Sequence, residues 1–175
     1  LCSKFLNSIE PLKENVGCLI LQFEYLNKEK MSSQKMFEDL MNDFISKGTE
    51  IKQRIISEIN NSGQCIYLAM AYFTDKDIAN ALIETSNRGV IVDVILSSNL
   101  QNDNVKSLLL DAGIKVHSFD TGDARGIMHH KFCLIDNKIV INGSFNYSYN
   151  ASTNNVENIQ VSDDLSTYTQ FHDEF

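Results

Sequence analysis

Residues 64–96 read QCIYLAMAYFTDKDIANALIETSNRGVIVDVIL and combine two apolar runs with a helical pattern between them. The runs do not alternate with polar residues, which is typical of strands covered on both faces. Gly89 follows the helical pattern at a place where a glycine in a left-handed conformation can end a helix. The stretch therefore predicts a β-α-β unit with parallel strands.

The same succession of helical and strand-like segments extends on both sides of this unit. A helical pattern covers 50–60, and another covers 104–112 and leads through Gly113 into the strand-like segment 114–119. Since each helical pattern is followed by a strand-like segment, we expect at least three strands with helices between them. The N-terminal residues 1–47 differ in character, and we interpret them as a helical arm or the remnant of another domain, with the main domain over 48–175.

The pattern changes after Asp120. Short strands are predicted at 131–135 and 138–142, and Asp136-Asn137 between them is a tight-turn signal, so we expect an antiparallel hairpin over 129–142. A polar connector, a strand near 156–161 and a C-terminal helix with aspartates at its start complete the chain. The predicted fold class is α/β, with a mixed, mostly parallel sheet sandwiched by helices.

Composition limits the classes of function. The formal net charge is -8, and residues 63–175 carry 7 Lys/Arg against 14 Asp/Glu. A negative net charge disfavours binding of nucleic acid or anionic lipid over a broad face of the protein. The longest apolar runs, 16–23 and 66–73, are far shorter than the about 20 residues of a membrane span, so we expect buried strands rather than membrane contact. The N-terminus shows no secretory leader, and the four cysteines lack metal-ligand spacing, which favours free thiols in the cytoplasm.

Polar residues cluster around the predicted hairpin. Along a strand His129 and Lys131 point the same way, whereas His130 points to the opposite face and is expected to pack or meet solvent. Ser144 and Asn146 follow the second strand, and Gly143 allows close backbone approach. The hairpin brings the two pairs together at one end.

This set of side chains suits a phosphodiester. Lys131 and Asn146 can bind the non-bridging oxygens, and a neutral His129 imidazole can attack phosphorus and form a phosphohistidine. Such chemistry needs no metal or other cofactor. Because the leaving oxygen departs opposite the nucleophile, a second acid is required, and a two-fold dimer that pairs two copies of His129 would supply it.

The spacing His129-x-Lys131-x4-Asp136-x6-Gly143-Ser144-x-Asn146 resembles the signature of the phospholipase D superfamily, in the branch of small single-motif bacterial endonucleases and mitochondrial cardiolipin hydrolase-like enzymes. The resemblance covers about 48–175. It implies a mixed sheet flanked by helices, metal-independent phosphodiesterase chemistry and a homodimer with its site at the two-fold interface. It also implies that Glu157 orients the catalytic histidine.

Three further residues have two interpretations each. Asp136 belongs to the motif, but its place at the turn favours a carboxylate that accepts backbone N–H bonds. Arg125 either holds a substrate phosphate or is a solvated charge. Tyr147, like Tyr149, either stacks on a substrate base or packs in the core.

The leading prediction is a homodimeric endonuclease that cleaves DNA or RNA through a phosphohistidine. One alternative is hydrolysis of a lipid phosphodiester such as cardiolipin, against which no basic amphipathic helix or anchor is visible. Another is a nuclease module that is silent until a partner or fused domain delivers the substrate, as the acidic charge suggests. The residues leave open DNA versus RNA, strandedness and the pathway.

Overall fold

A seven-stranded mixed sheet is the centre of the computed structural model, which describes residues 44–45, 48–123 and 125–175. In chain order the elements are β1 (Phe44–Ile45), α1 (Gly48–Asn61), β2 (Cys65–Met70), α2 (Lys76–Asn87), β3 (Ile91–Ser97), a 3-10 helix (Leu100–Asn102), α3 (Asp103–Asp111), β4 (Lys115–Phe119), β5 (Lys131–Ile135), β6 (Ile139–Gly143), α4 (Tyr149–Thr153), β7 (Ile159–Ser162) and α5 (Leu165–Glu174).

The strand order is β1-β7-β6-β5-β2-β3-β4. Strands β2, β3 and β4 pair in parallel, and every other neighbouring pair is antiparallel. The predicted α/β class with a mixed, helix-flanked sheet is confirmed, but the sheet is not mostly parallel. The reason is that β5 pairs antiparallel to β2, and that β6 and β7 then each pair antiparallel to the strand before them, so none of these strands needs the crossover that a parallel pair requires.

Local sequence explains where the elements begin and turn. Asp75 caps α2 by accepting hydrogen bonds from the N–H groups of Asp77 and Ile78, as carboxylates commonly do at a helix start. Between β5 and β6, Asp136 and Asn137 adopt φ values of 54° and 56°, and the N–H of Lys138 donates to the Ile135 carbonyl over 3.0 Å. These values are those of a type I′ turn, so the predicted hairpin is confirmed.

The two faces of the sheet are covered differently. On one face α1 and α2 enclose the larger core, into which α1 places Ile51, Ile55 and Ile59 with no exposed surface. Full burial of each such side chain contributes roughly 1.5–3 kcal/mol. On the other face α5 covers a smaller cluster that includes Phe132, Leu134, Val140 and Tyr168.

Two local features differ from the sequence prediction. Phe44 and Ile45, placed in the N-terminal arm by the sequence, pair with β7 and belong to the sheet, because a short strand satisfies the otherwise unpaired backbone of β7. The polar connector contains α4, whose start is capped by the Ser148 hydroxyl. The rest of the predicted arm and the apolar run at 16–23 lie outside the described residues.

Cys65 and Cys133 are buried free thiols, as the sequence predicts for these two. Among the described helices, none combines the length and the apolar character that crossing a bilayer demands.

Candidate active site

The candidate site lies at the end of the sheet where β2 ends and β5 begins. Met70, the last residue of β2, pairs with Lys131, the first residue of β5. The N–H of Ala71 donates to the His130 carbonyl over 2.8 Å, so this antiparallel pairing continues beyond the two strands. The carboxyl end of a parallel strand is where open α/β sheets commonly place their sites.

His129 and Lys131 face each other as the strand spacing predicts. The Lys131 Nζ atom lies 2.9 Å from His129 Nε2 and donates to the His129 carbonyl at the same distance. Partial burial of the ring, followed by the charges of Lys131 and His130, lowers the pKa of His129 below its ordinary value. The neutral, nucleophilic form of the imidazole is therefore favoured.

Lys131 is itself only partly exposed. Burial lowers the pKa of its ammonium group, and the negative charge of Glu157 acts in the opposite direction. A cation that is partly removed from water interacts more strongly with an anion than a fully solvated one. The ammonium group is therefore suited to bind a phosphate oxygen.

Ser144 and Glu157 form the second part of the site. The Ser144 hydroxyl donates a short hydrogen bond to Glu157 Oε2 and accepts one from the Asn158 N–H over 3.1 Å. Glu157 is buried, with 8% of its surface exposed, and its Oε1 accepts from Asn155 Nδ2 over 2.9 Å. In the described part of the chain no hydrogen bond joins Glu157 to His129, so the orienting role that the resemblance implies stays a prediction.

Position 143 requires glycine because the surrounding backbone leaves no room for a side chain. A Cβ atom added at this position would lie 2.2 Å from the Asn158 carbonyl oxygen and 2.9 Å from the Ile159 Cα. Both atoms are backbone and cannot move aside cheaply. The close approach predicted from the sequence therefore occurs, and it places β7 and Glu157 next to Ser144.

Asn146 is half-buried, and its Oδ1 atom is buried without a hydrogen-bond partner among the described residues. A buried acceptor without a partner costs about 1–3 kcal/mol. Asn146 is two residues from Ser144 in the motif, and the Nδ2 group of its amide is the donor that suits a phosphate oxygen.

Asp136 lies at the opposite end of the hairpin from His129. Its carboxylate accepts hydrogen bonds from the backbone N–H groups of Gly63, Gln64 and Cys65 at distances from 2.8 to 3.2 Å. The motif aspartate thus joins the β5–β6 turn to the start of β2. This geometry matches the structural interpretation of Asp136.

His130 and Arg125 lie outside the cluster. His130 points to the other face, where its Nε2 atom lies 3.1 Å from Glu174 and its ring contacts Phe132, as strand parity predicts. Arg125 extends into solvent and contacts Asp123, with its Nη2 atom 3.3 Å from a carboxylate oxygen. Its proposed contact with a substrate phosphate stays a prediction.

Tyr147 requires a correction. Its side chain is 2% exposed and packs edge-on against Phe73 with ring centroids 5.3 Å apart. Burial raises the pKa of its hydroxyl, which is hydrogen-bonded to the Cys133 thiol. A ring enclosed in this way offers no face to a base, so we assign Tyr147 to the core and withdraw it as a substrate-binding residue. Tyr149 is exposed, and stacking of its ring on a substrate base stays a prediction.

Sequence reasoning missed Asn155, whose side-chain amide binds Glu157, and Asn158, whose backbone N–H binds the Ser144 hydroxyl. Asn155 lies two residues before Glu157 in the run Asn155-Val156-Glu157-Asn158, and a polar residue close to the motif acid was the available signal; the backbone contact of Asn158 has no signal in the sequence. Within the described ranges no group of three or more His, Cys, Asp or Glu side chains is placed to hold a metal ion.

Residues 55–175 match the family described as "Cardiolipin synthase, PLD-like domain". A mitochondrial cardiolipin hydrolase of Mus musculus is 32% identical over 125 residues, which are 70% of this chain and 55% of that protein. A phospholipase D of Rickettsia prowazekii (strain Madrid E) is 34% identical over 116 residues, 63% of this chain and 53% of that protein. The chain thus spans about half the length of these curated relatives.

The fold is also similar to a solved structure. NucT from Helicobacter pylori superposes with a TM-score of 0.67 and 27% sequence identity, covering 75% of this chain and 90% of that one. The match to the family spans most of the chain and includes every residue of the His129–Asn146 cluster. Sequence, fold and site agree, and the chain belongs to the phospholipase D-like family.

Proposed function

We propose that the protein is a metal-independent phosphodiesterase in which His129 attacks phosphorus and forms a covalent phosphohistidine. The observation that carries the proposal is the contact of the His129 Nε2 atom with the Lys131 ammonium group at 2.9 Å. One group is a nucleophile kept neutral by its surroundings, and the other is a cation that binds the oxygens of the same phosphate.

The reaction has two displacements. In the first, Nε2 of His129 forms a bond to phosphorus while the bond to the leaving oxygen breaks, and an acid protonates that oxygen. Lys131 and the Asn146 amide stabilise the charge on the non-bridging oxygens. In the second, water attacks phosphorus, the former acid takes its proton, and His129 leaves in its starting form.

We infer that the acid comes from outside the single chain. The other three histidines are engaged elsewhere: His130 with Glu174, His117 with Asp93, and His172 stacked on Tyr168. We propose that a second copy of the chain places its own His129 opposite the first, across a two-fold axis.

Exposed apolar side chains support an interface at this end of the sheet. Val156 is 90% exposed and directly precedes Glu157. Leu100, Ile127 and Tyr149 are also exposed, in segments that leave or enter the sheet at the same end. Exposed apolar residues around a polar site are typical of a surface that contacts another protein or a lipid.

We place nucleic acid first among the substrates. The described domain matches 90% of NucT, whose name denotes a nuclease, and it matches about half of each curated relative named above. A lipid phosphodiester is the second candidate, supported by the family description and by the relatives named cardiolipin hydrolase. Dependence on a partner that delivers the substrate is supported by the net charge of -8.

The test is cleavage of labelled single-stranded DNA, duplex DNA, RNA and cardiolipin vesicles in EDTA, with His129→Ala as the matched variant. We expect the wild type to cleave nucleic acid and His129→Ala to lose at least about 10³-fold in kcat. Label from a 5′- or 3′-phosphate should also become bound to the wild type in an acid-labile, alkali-stable form.

The outcomes separate the candidates. Vesicle hydrolysis alone would assign the lipid substrate. Equal rates for wild type and His129→Ala, or activity that EDTA abolishes, would contradict the mechanism. No cleavage of any substrate by a folded dimer would favour the partner-dependent module.

A further inference from the structure

The two halves of the candidate site are joined through one short segment of backbone, residues 71–75, which we call the strap. At its start the N–H of Ala71 donates to the carbonyl of His130 over 2.8 Å. At its end the N–H groups of Thr74 and Asp75 donate to the carbonyl of Tyr147 over 2.7 and 2.9 Å. His130 is the neighbour of His129, and Tyr147 is the neighbour of Asn146, so the strap contacts both halves.

Asn102 holds the strap in place. Its Oδ1 atom accepts from the Phe73 N–H over 2.8 Å, and its Nδ2 group donates to the carbonyls of Ala71 and Ser97 over 3.0 and 2.9 Å. The residue is 1% exposed, and all three bonds go to backbone. The amide therefore joins the middle of the strap to the end of β3.

The side chain of Asn102 does not make the hydrogen bond that its position in the chain predicts. It directly precedes α3, where an asparagine side chain commonly accepts a hydrogen bond from the first turn of the helix. Asn102 makes no such capping bond. Its donors and acceptor are instead committed to the strap and to Ser97.

We propose that Asn102 is a positioning residue that sets the distance between the His129–Lys131 half and the Ser144–Asn146 half of the site. This inference rests on the proposed phosphodiesterase function. An apolar side chain cannot replace the amide, because the Phe73 N–H would lose its buried acceptor and the Ala71 carbonyl would keep only the longer bond from Asn99. The strap would then shift to find new partners, and His130 and Tyr147 would move with it.

The matched control is Thr85→Val. Thr85 is also fully buried, and its hydroxyl donates to the Ile59 carbonyl over 3.2 Å, but it lies in α2 near the opposite end of the sheet. The experiment compares Asn102→Ala with Thr85→Val in the full chain. The readouts are kcat and KM on bis(4-nitrophenyl) phosphate and on the best substrate, and the pH titration of the His129 ring by ¹⁵N NMR.

We expect Asn102→Ala to lower kcat by about 10- to 100-fold with a smaller change in KM, since misplacing reacting groups by about 1 Å has such an effect. We also expect His129 to titrate at higher pH than in the wild type, because a displaced ring is less buried and farther from Lys131. Thr85→Val should lose stability but keep both values. If Asn102→Ala does not fold, Asn99→Ala is tested instead, because Asn99 donates to the same two carbonyls over longer distances.

The proposal is overturned if the Asn variant and Thr85→Val have the same kcat and the same His129 titration. The NMR readout requires no turnover. If the wild type hydrolyses nothing, the proposed activity of the isolated chain fails. A His129 titration that changes in the Asn variant alone would still support the positioning role.

Discussion

The ammonium nitrogen of Lys131 lies 2.9 Å from the Nε2 atom of His129. Lysine can only donate, so in this pair the imidazole accepts at Nε2 and carries its proton on Nδ1. The same lone pair must attack phosphorus in the proposed mechanism. A bound phosphodiester would therefore have to draw the ammonium group onto its own oxygens, which frees the nucleophile only when the substrate is present.

The pH dependence of kcat/KM should follow the charges around His129. Its pKa is lowered from the ordinary 6.5 by burial and by the charges of Lys131 and His130, so the wild type should keep a neutral nucleophile into more acidic solution than a free imidazole. His130→Gln removes one positive neighbour and should move the acidic limb of the profile to higher pH. His117→Gln, in β4, is the control that should leave the limb in place. A limb that does not move in His130→Gln would contradict this reading of the electrostatics.

Asp136→Ala should destabilise the fold and leave the chemistry nearly intact. The carboxylate accepts hydrogen bonds from three backbone N–H groups, two just before β2 and one at its first residue, and loss of charge-assisted hydrogen bonds of this kind costs about 2 kcal/mol. Urea unfolding measures the change, and kcat is determined well below the unfolding midpoint. A fall in kcat to the level of His129→Ala would show that Asp136 takes part in catalysis.

Gly143→Ala should disrupt the contact between β6 and β7. The added methyl group would meet the Asn158 carbonyl oxygen at 2.2 Å, and overpacking against backbone costs about 1–3 kcal/mol or more. Because Asn158 also binds Ser144, activity should fall together with stability. Gly63→Ala is the matched control, since its methyl group would meet nothing within 4 Å. Equal stability of the two variants would argue against the close approach at Gly143.

Val156→Asp should weaken the proposed dimer. The side chain is 90% exposed beside Glu157, and a carboxylate buried in an interface without a partner is strongly unfavourable. Leu165→Asp is the control, because Leu165 is 69% exposed at the start of α5, beyond the far end of β7. Sedimentation velocity over a concentration series measures assembly, and activity should fall in parallel for Val156→Asp alone. Unchanged assembly in Val156→Asp would remove this surface from the interface.

Much of the candidate site was accessible from the sequence because short-range geometry decides it. The two-residue period of a strand places His129 and Lys131 together and His130 on the other face. The Asp136-Asn137 turn sets the register of β5 and β6, and with it the approach of Lys131 to Gly143 and Ser144. These relationships extend over fewer than twenty residues and need little information from the rest of the chain.

Other features were not accessible in this way. The sequence could not tell whether Tyr147 lies in the core or on the surface, because an aromatic residue next to a polar motif suits both places. Helix α4 could not be predicted because its residues show no apolar periodicity. The helix is stabilised instead by the Ser148 cap and by close packing of Gly48 against the Ser152 carbonyl.

By itself the sequence determined α1, α2, α3 and α5, the strands from β2 onward, the hairpin and the identity of the clustered polar side chains. Each depends on local spacing, turn chemistry or strand parity, which act within a few residues. Only the tertiary structure decided that β5 pairs antiparallel with β2, that Asp136 binds the loop before β2, and that Asn102 holds the strap between His130 and Tyr147. Those contacts join residues about 30 to 70 positions apart. They form because backbone donors and acceptors that become buried in the folded chain need hydrogen-bond partners.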